Sequence, residues 1–345
     1  MRGINSFINS LLILCAGTLM CQAQPSNSGY KVVDKFKIGG DGGWDYLTVD
    51  TAAHRLYISR STRVQVFDLV KKEIAGEIPN TNGVHGIALV PDLQRGFTSN
   101  GRDSSVTIFD LKTLQTIKTV RIPARNPDAI AYDPVSRRVF TFNGGSRNAT
   151  AIDAQTDSVV GTVPLDGKPE FGVSDGKGSM YVNIEDSSVI VTFDSKTLSV
   201  KSRWSIAPGE EPSGLAIDRV HRRLFSACGN KMMAVVDADN GKVITTLPIG
   251  QGVDAAGFDP GTGLAFASNG EGTLTVIHED TPDEYRVMEN DSTQRGARTM
   301  SLDESTHRVY TVTANFGPVP APTADHPRPR PTIEPGTFTI LVVGR

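Results

Sequence analysis

A seven-bladed β-propeller of four-stranded antiparallel blades is the fold this 345-residue chain predicts, on three observations. The first is a repeat of about forty-two residues. Five segments read apolar–apolar–Asp: Val66-Phe67-Asp68, Ile108-Phe109-Asp110, Ala151-Ile152-Asp153, Thr192-Phe193-Asp194 (with Thr in the first apolar place) and Val235-Val236-Asp237. A sixth, Val276-Ile277-His278, keeps the apolar pair; successive spacings are 42, 43, 41, 43 and 41 residues. The second is that each repeat divides into short alternating runs separated by Gly, Pro and Asx turns, too short for helices. The third is that the two chain ends read as complementary parts of one blade.

The first 23 residues differ in kind. Arg2 precedes a ten-residue apolar core, Leu11 to Met20, and Cys21-Gln22-Ala23 suits cleavage. This is the pattern of a signal peptide, which assigns residues 1–23 to a leader and the protein to the periplasm or the medium. The core is too short for a stable membrane span. Leu14 and Met20 precede Cys15 and Cys21 where lipid attachment wants a small residue, so soluble export is favoured over a lipid anchor. Cleavage leaves Cys228 as the mature chain's lone cysteine, so no internal disulfide is expected. A formal charge of −3 and 7% aromatic residues argue against nucleic acid as a partner.

Residues 24–345 then form the propeller. Lys31-Val32-Val33-Asp34-Lys35-Phe36-Lys37-Ile38-Gly39 matches Lys242-Val243-Ile244-Thr245-Thr246-Leu247-Pro248-Ile249-Gly250, the fourth strand of a blade, position for position. The last repeat lacks a fourth strand. Residues 31–38 are therefore expected to complete blade seven and cover its open edge. First strands start near Asp45, His85, Asp128, Glu170, Ser213, Asp254 and Arg298, at intervals of 40, 43, 42, 43, 41 and 44. They end on a column of Asp50, Val90, Asp133, Asp175, Asp218, Asp259 and Asp303. Second strands carry large residues, as in Leu56-Tyr57-Ile58 and Val139-Phe140-Thr141. One segment breaks the period: residues 315–336 of blade seven, with Pro318, Pro320, Pro322, Pro327, Pro329, Pro331 and Pro335. Such a segment favours polyproline geometry and is expected to project over one mouth of the channel, bringing His326, Arg328 and Arg330 there. It could be a lid, a docking arm or a stiff decoration.

The innermost strands of a propeller line its axis. The column that starts them holds four carboxylates (Asp45, Asp128, Glu170, Asp254) with His85, Ser213 and Arg298. A second column, at the ends of the second strands, reads Arg60, Asn100, Asn143, Ile184 or Glu185, Cys228, Asn269 and Thr313, and is expected to converge on the same mouth. A concave polar mouth is where a ligand would bind. The plainer account is a polar lining for a water column with Asx turn caps. Crowded carboxylates call for a cation. His85, Asp128 and Glu170 offer a mixed N/O set for zinc or a transition metal, and all-oxygen ligation would suit calcium or magnesium; manganese fits either. No metal or cofactor is required by any motif: there is no HExxH, EF-hand loop, paired-Cys set or CxxCH. Cys228 reads as a buried small hydrophobe, and Ser213 has no specified base.

The Asp-marked strands, aromatic second strands and leader resemble the YncE-like, YVTN-repeat bacterial propellers over roughly residues 30–345. The resemblance implies the fold and an exported protein; activities in that family are mostly uncharacterised. Three expectations follow: a monomeric binding module taking a small polar ligand or an envelope protein at the mouth, a metal-assisted hydrolase or lyase with His85 or a carboxylate as base, or a structural component of the envelope or surface layer.

Overall fold

The computed structural model describes residues 27–323, 329 and 331–345; the leader, His326, Arg328 and Arg330 lie outside the described residues. Alternating apolar and polar residues give seven four-stranded antiparallel sheets. Blade one is typical, with strands Leu47–Asp50, Arg55–Arg60, Arg63–Asp68 and Glu73–Pro79. The first strands of blades two to seven are Val84–Val90, Pro127–Asp133, Pro169–Ser174, Pro212–Asp218, Val253–Asp259 and Met300–Asp303. Among the described residues there is no α-helix, and two single turns of 3-10 helix follow Val90 and Ile184.

The repeated Asp has a local cause. Asp68 Oδ1 accepts the backbone N–H groups of Val70 and Lys71 at 3.0 and 2.8 Å. Asp110, Asp153, Asp194 and Asp237 do the same with residues two and three further on. Each is an Asx turn that reverses the chain between the third and fourth strands. The two apolar residues before it lie in a third strand buried on both faces, as in Arg63–Asp68. A ladder irregularity recurs there too, between Val66 and Phe67, Ile108 and Phe109, and Val235 and Val236, strengthening the blade's twist.

The Asp column that ends the first strands joins blade to blade. Asp133 accepts from Ser174 at 2.6 Å, Asp175 pairs with Arg222 at 3.1 Å, Asp259 meets His307 at 2.8 Å and Asp303 accepts from Thr51 at 2.8 Å. In each pair the donor belongs to the following blade. Apolar clusters fill the spaces between blades. In one of them Leu56 and Phe67 of blade one meet Val312, Phe338 and Ile340 of blade seven.

The ring closes as the chain ends suggest. Lys31–Lys37 pairs antiparallel with Thr339–Gly344, from Lys31 opposite Gly344 to Lys37 opposite Thr339. Blade seven thus takes its outer strand from the start of the chain. Tyr30 anchors the strand from a buried position, its hydroxyl donating to the carbonyl of His307 at 2.8 Å.

Candidate functional site

The column at the start of the first strands is set apart by a break in pairing. The ladder between first and second strands skips from Val84 to Ile87, Pro127 to Ile130, Pro169 to Gly172 and Pro212 to Leu215. His85, Asp128, Glu170 and Ser213 fall inside these skips, and Asp254 falls in the skip from Val253 to Ala255. Asp45 and Arg298 precede their strands, Leu47–Asp50 and Met300–Asp303. A strand irregularity re-aims a side chain, and here it turns the column toward the axis.

The freed backbone groups are held by the penultimate residues of the second strands. Ser59 Oγ accepts from Asp45 N at 2.9 Å, and Ser99 Oγ accepts from Gly86 N at 2.9 Å and donates to the Asp128 carbonyl. Asn183 donates to the carbonyls of Ser213 and Gly214, both at 3.0 Å. Ser268 Oγ donates to the Arg298 carbonyl at 2.5 Å.

Side chains of the column then meet across blades. His85 Nδ1 lies 2.5 Å from Asp45 and 3.5 Å from Asp128. Arg298 bridges Asp254 at 2.6 Å and Asp45 at 3.3 Å, and Ser213 donates to Asp254 at 2.8 Å. Glu170 takes a different partner, Lys168, whose ammonium is 2.8 Å away and also pairs with Glu185. Beneath the charges, Tyr46 and Phe171 meet edge to face with ring centroids 4.6 Å apart. These rings come from positions next to Asp45 and Glu170. They stand between the charged floor and a second cavity of about 280 Å3, of mixed lining, at the far halves of the first strands.

Above the floor lies a cavity of about 500 Å3, lined by Trp44, Asp45, His85, Arg102, Asn126 and Arg298 among others. Its neighbour, about 210 Å3, has apolar walls from Trp44, Phe316, Pro331 and Ile333 beside Arg298. Phe316 pairs with Ile333, and its ring lies 6.0 Å from that of Trp44. The base of the Pro-rich insertion therefore stands at this mouth, as its length and position suggest.

The charges perturb one another. Burial pushes Asp128 up to about 6, with Asp45 and Asp254 adding to the rise and His85 opposing it. Burial and the Asp128 charge raise Glu170 to about 7 against the pull of Lys168. Burial opposes a charged His85, yet Asp45, Asp128 and Glu170 outweigh it and hold its pKa above the ordinary imidazole value. Near neutral pH the floor therefore holds groups that exchange protons with small changes in pH.

The second column is placed otherwise than expected. Arg60 is 1% exposed, its guanidinium 3.6 Å from the Phe338 ring centroid and donating to the carbonyls of Gly39, Asp41 and Gly42. Asn100 donates to Ser105 and Thr107 at 3.2 and 2.9 Å, and Asn143 to Asn148 and Thr150 at 2.9 and 3.0 Å. Asn269 donates to Thr273 and Thr275 at 3.0 and 2.9 Å. These amides are fully buried and tie the second strand to the third within one blade. Cys228 is buried and its thiol is pushed up to about 11 by burial, so it stays protonated. Successive side chains of a strand face opposite ways, so the residues one position earlier, Ser59, Ser99, Asn183 and Ser268, support the mouth instead. Of the second column, Glu185 reaches the charged cluster, while Ile184 enters the core.

For cation binding, the atoms that come together are one each from Asp45, His85 and Asp128, all within 4.8 Å of one another. Glu170, grouped with His85 and Asp128 on sequence grounds, is drawn off by Lys168. Lys168, Tyr46 and Phe171 were not singled out from the sequence. Lys168 lies two positions before the column, a signal available only by reading the flanks of Glu170.

No protein-family profile and no curated protein sequence matches the chain. Solved structures do match by shape. The hydrazine synthase of Kuenenia stuttgartiensis aligns with a TM-score of 0.69 at 16% identity, over 79% of this chain and 94% of that one. The RRP9 WD40 repeats align with a TM-score of 0.74 at 9% identity, over 93% and 99%. A chain of the mitotic checkpoint complex aligns with a TM-score of 0.71 at 10% identity, over 100% and 99%. At such identities the likeness is one of fold alone, a WD40-like seven-bladed propeller.

Proposed function

We propose that this protein is a binding propeller whose ligand is a small polar molecule rich in hydrogen-bond donors, an amine above all, held on the Asp45–His85–Asp128 side of the mouth. The observation that carries this reading is an imbalance. Five carboxylates (Asp45, Asp128, Glu170, Glu185, Asp254) share two permanent cations, Lys168 and Arg298. Glu170 and Glu185 are met by Lys168, and Asp254 by Arg298. Asp128 is left with His85 alone, and it is Asp45 and His85 that face the open cavity. An ammonium group would supply the missing donor, and the Trp44–Phe316 wall would cover a less polar end of the same ligand.

The test is calorimetric titration with glucosamine as probe and N-acetylglucosamine as its uncharged counterpart. The amine is expected to bind more tightly. Its affinity is expected to rise between pH 5 and pH 7, as Asp128 near 6 and Glu170 near 7 lose protons while the amine of the probe keeps its own. Asp128→Asn should weaken it by at least about tenfold, the scale of one lost charge-assisted bond. Equal binding of both probes, or none by either, contradicts the amine reading.

A second reading rests on the donor atoms of Asp45, His85 and Asp128 lying within 4.8 Å of one another: a divalent cation, Zn, Mn, Ca or Mg, seated there. A metal-assisted hydrolase or lyase would then use the Pro-rich insertion as a cover. This reading requires stoichiometric metal in protein purified without chelators, lost in His85→Ala.

Export to the periplasm or medium, without a lipid anchor, completes the proposal, supported by the apolar core at Leu11 to Met20 and by the resemblance to YncE-like propellers. The secreted form should have the mass of a chain starting at Gln24; a retained leader or an acylated cysteine contradicts it.

A further inference from the structure

On the face opposite the mouth, we propose that Asp218, His221 and Glu279 form a site for a divalent transition-metal ion, with Zn2+ as the test case. Asp218 ends the first strand of blade five, His221 stands in the turn after it, and Glu279 lies on the third strand of blade six, Thr273–Thr281. His221 Nδ1 is 2.8 Å from Asp218 Oδ2 and 3.1 Å from Glu279 Oε1. One donor atom from each residue lies within 4.8 Å of the others. Tetrahedral zinc with ligands at 2.0–2.2 Å sets them about 3.4 Å apart, so little movement is needed.

Burial makes this cluster different from surface acids. Asp218 is 2% exposed and Glu279 9%. Among the described residues, neither is paired with a lysine or arginine. Glu279 Oε2 is buried with no hydrogen-bond partner, an acceptor left without donor or cation.

The charge balance suits a divalent ion. Two carboxylates and a neutral imidazole carry −2, which one divalent ion balances. Asp218 is already oriented, its Oδ1 accepting from Val220 N at 2.8 Å. A cavity of about 140 Å3 walled by Phe258, Pro260 and Gly263 opens on the three residues and leaves room for a water ligand. Blade six has the partial counterpart: Asp259 meets His307, with no third donor among the described residues. The metal would add to the direct His221–Glu279 contact that already joins blades five and six.

The full mature chain should be titrated with Zn2+ in an Asp45→Asn/His85→Ala background, which removes the mouth cluster. One equivalent is expected to bind and to raise the melting temperature. His221→Ala, at a side chain 48% exposed and so tolerant of change, should weaken binding by at least about tenfold. Glu279→Gln should do likewise and abolish the thermal shift. Zinc binding unaffected by His221→Ala overturns the assignment. So does absence of zinc binding together with a Glu279→Gln variant that melts higher than its parent, which would mean that the two carboxylates share a proton.

Discussion

Deleting residues up to Ile38 is expected to abolish the single sharp unfolding transition of the propeller. The strand Lys31–Lys37 is the outer member of blade seven, and its removal strips the ladder from Thr339–Gly344. Tyr30 packs on Phe266 at 5.1 Å and Phe36 on Phe67 at 5.2 Å, so both blade six and blade one lose cover. Burial of a large apolar side chain contributes about 1.5–3 kcal/mol. Two such losses plus an open edge consume much of the roughly 5–15 kcal/mol that holds a domain together. Scanning calorimetry should show a melting point lowered by at least about 10 °C, at roughly 2–4 °C per kcal/mol, or a broadened transition. A truncated protein that melts as sharply and as late as the parent would mean that the ring is closed by something else.

The second large effect is expected at Arg60. Its buried guanidinium holds the loop from Gly39 to Gly42 through three carbonyls, contacts Gln65 at 3.2 Å and lies over Phe338. That loop leads from the closure strand into the mouth at Trp44 and Asp45. Arg60→Ala leaves several acceptors without donors, at about 1–3 kcal/mol for each that stays buried. The loop can turn some of them to water, so a net loss of about 3 kcal/mol is expected, again read by calorimetry. Arg60→Lys should recover less than half, because one ammonium cannot reproduce a planar fork stacked on a ring. The same variants should weaken ligand binding at the mouth by loosening Asp45. A stable, fully binding Arg60→Ala protein would show that the loop holds itself.

Most of the architecture was legible because it is periodic. Asp68, Asp110, Asp153, Asp194 and Asp237 mark turns whose chemistry is local, so spacing alone revealed them. The closure strand could be read because Lys31 to Gly39 repeats a complete fourth strand. The charged column was legible for the same reason. What failed was phase. Arg60, Asn100, Asn143 and Asn269 sit at strand ends, but a strand reverses its facing at every residue, and the supporting layer lies one position earlier at Ser59, Ser99 and Ser268. No pattern of spacing fixes that phase where the ladder itself slips. The cluster of Asp218, His221 and Glu279 escaped for another reason. Asp218 and His221 share one turn of blade five, but Glu279 stands in a different column of blade six, and only the packing of the two blades brings it within reach.

On the reading proposed above, the start of the first strands forms one binding floor at the mouth. The decisive experiment is a crystal structure of the mature protein grown with glucosamine at pH 7, where the probe keeps its ammonium. The expected result is density for the sugar in the mouth cavity, with its ammonium against Asp45 and Asp128 and its ring facing Trp44. A probe bound elsewhere, or a floor in which Asp45, His85 and Asp128 contact water alone at saturating probe, would contradict it.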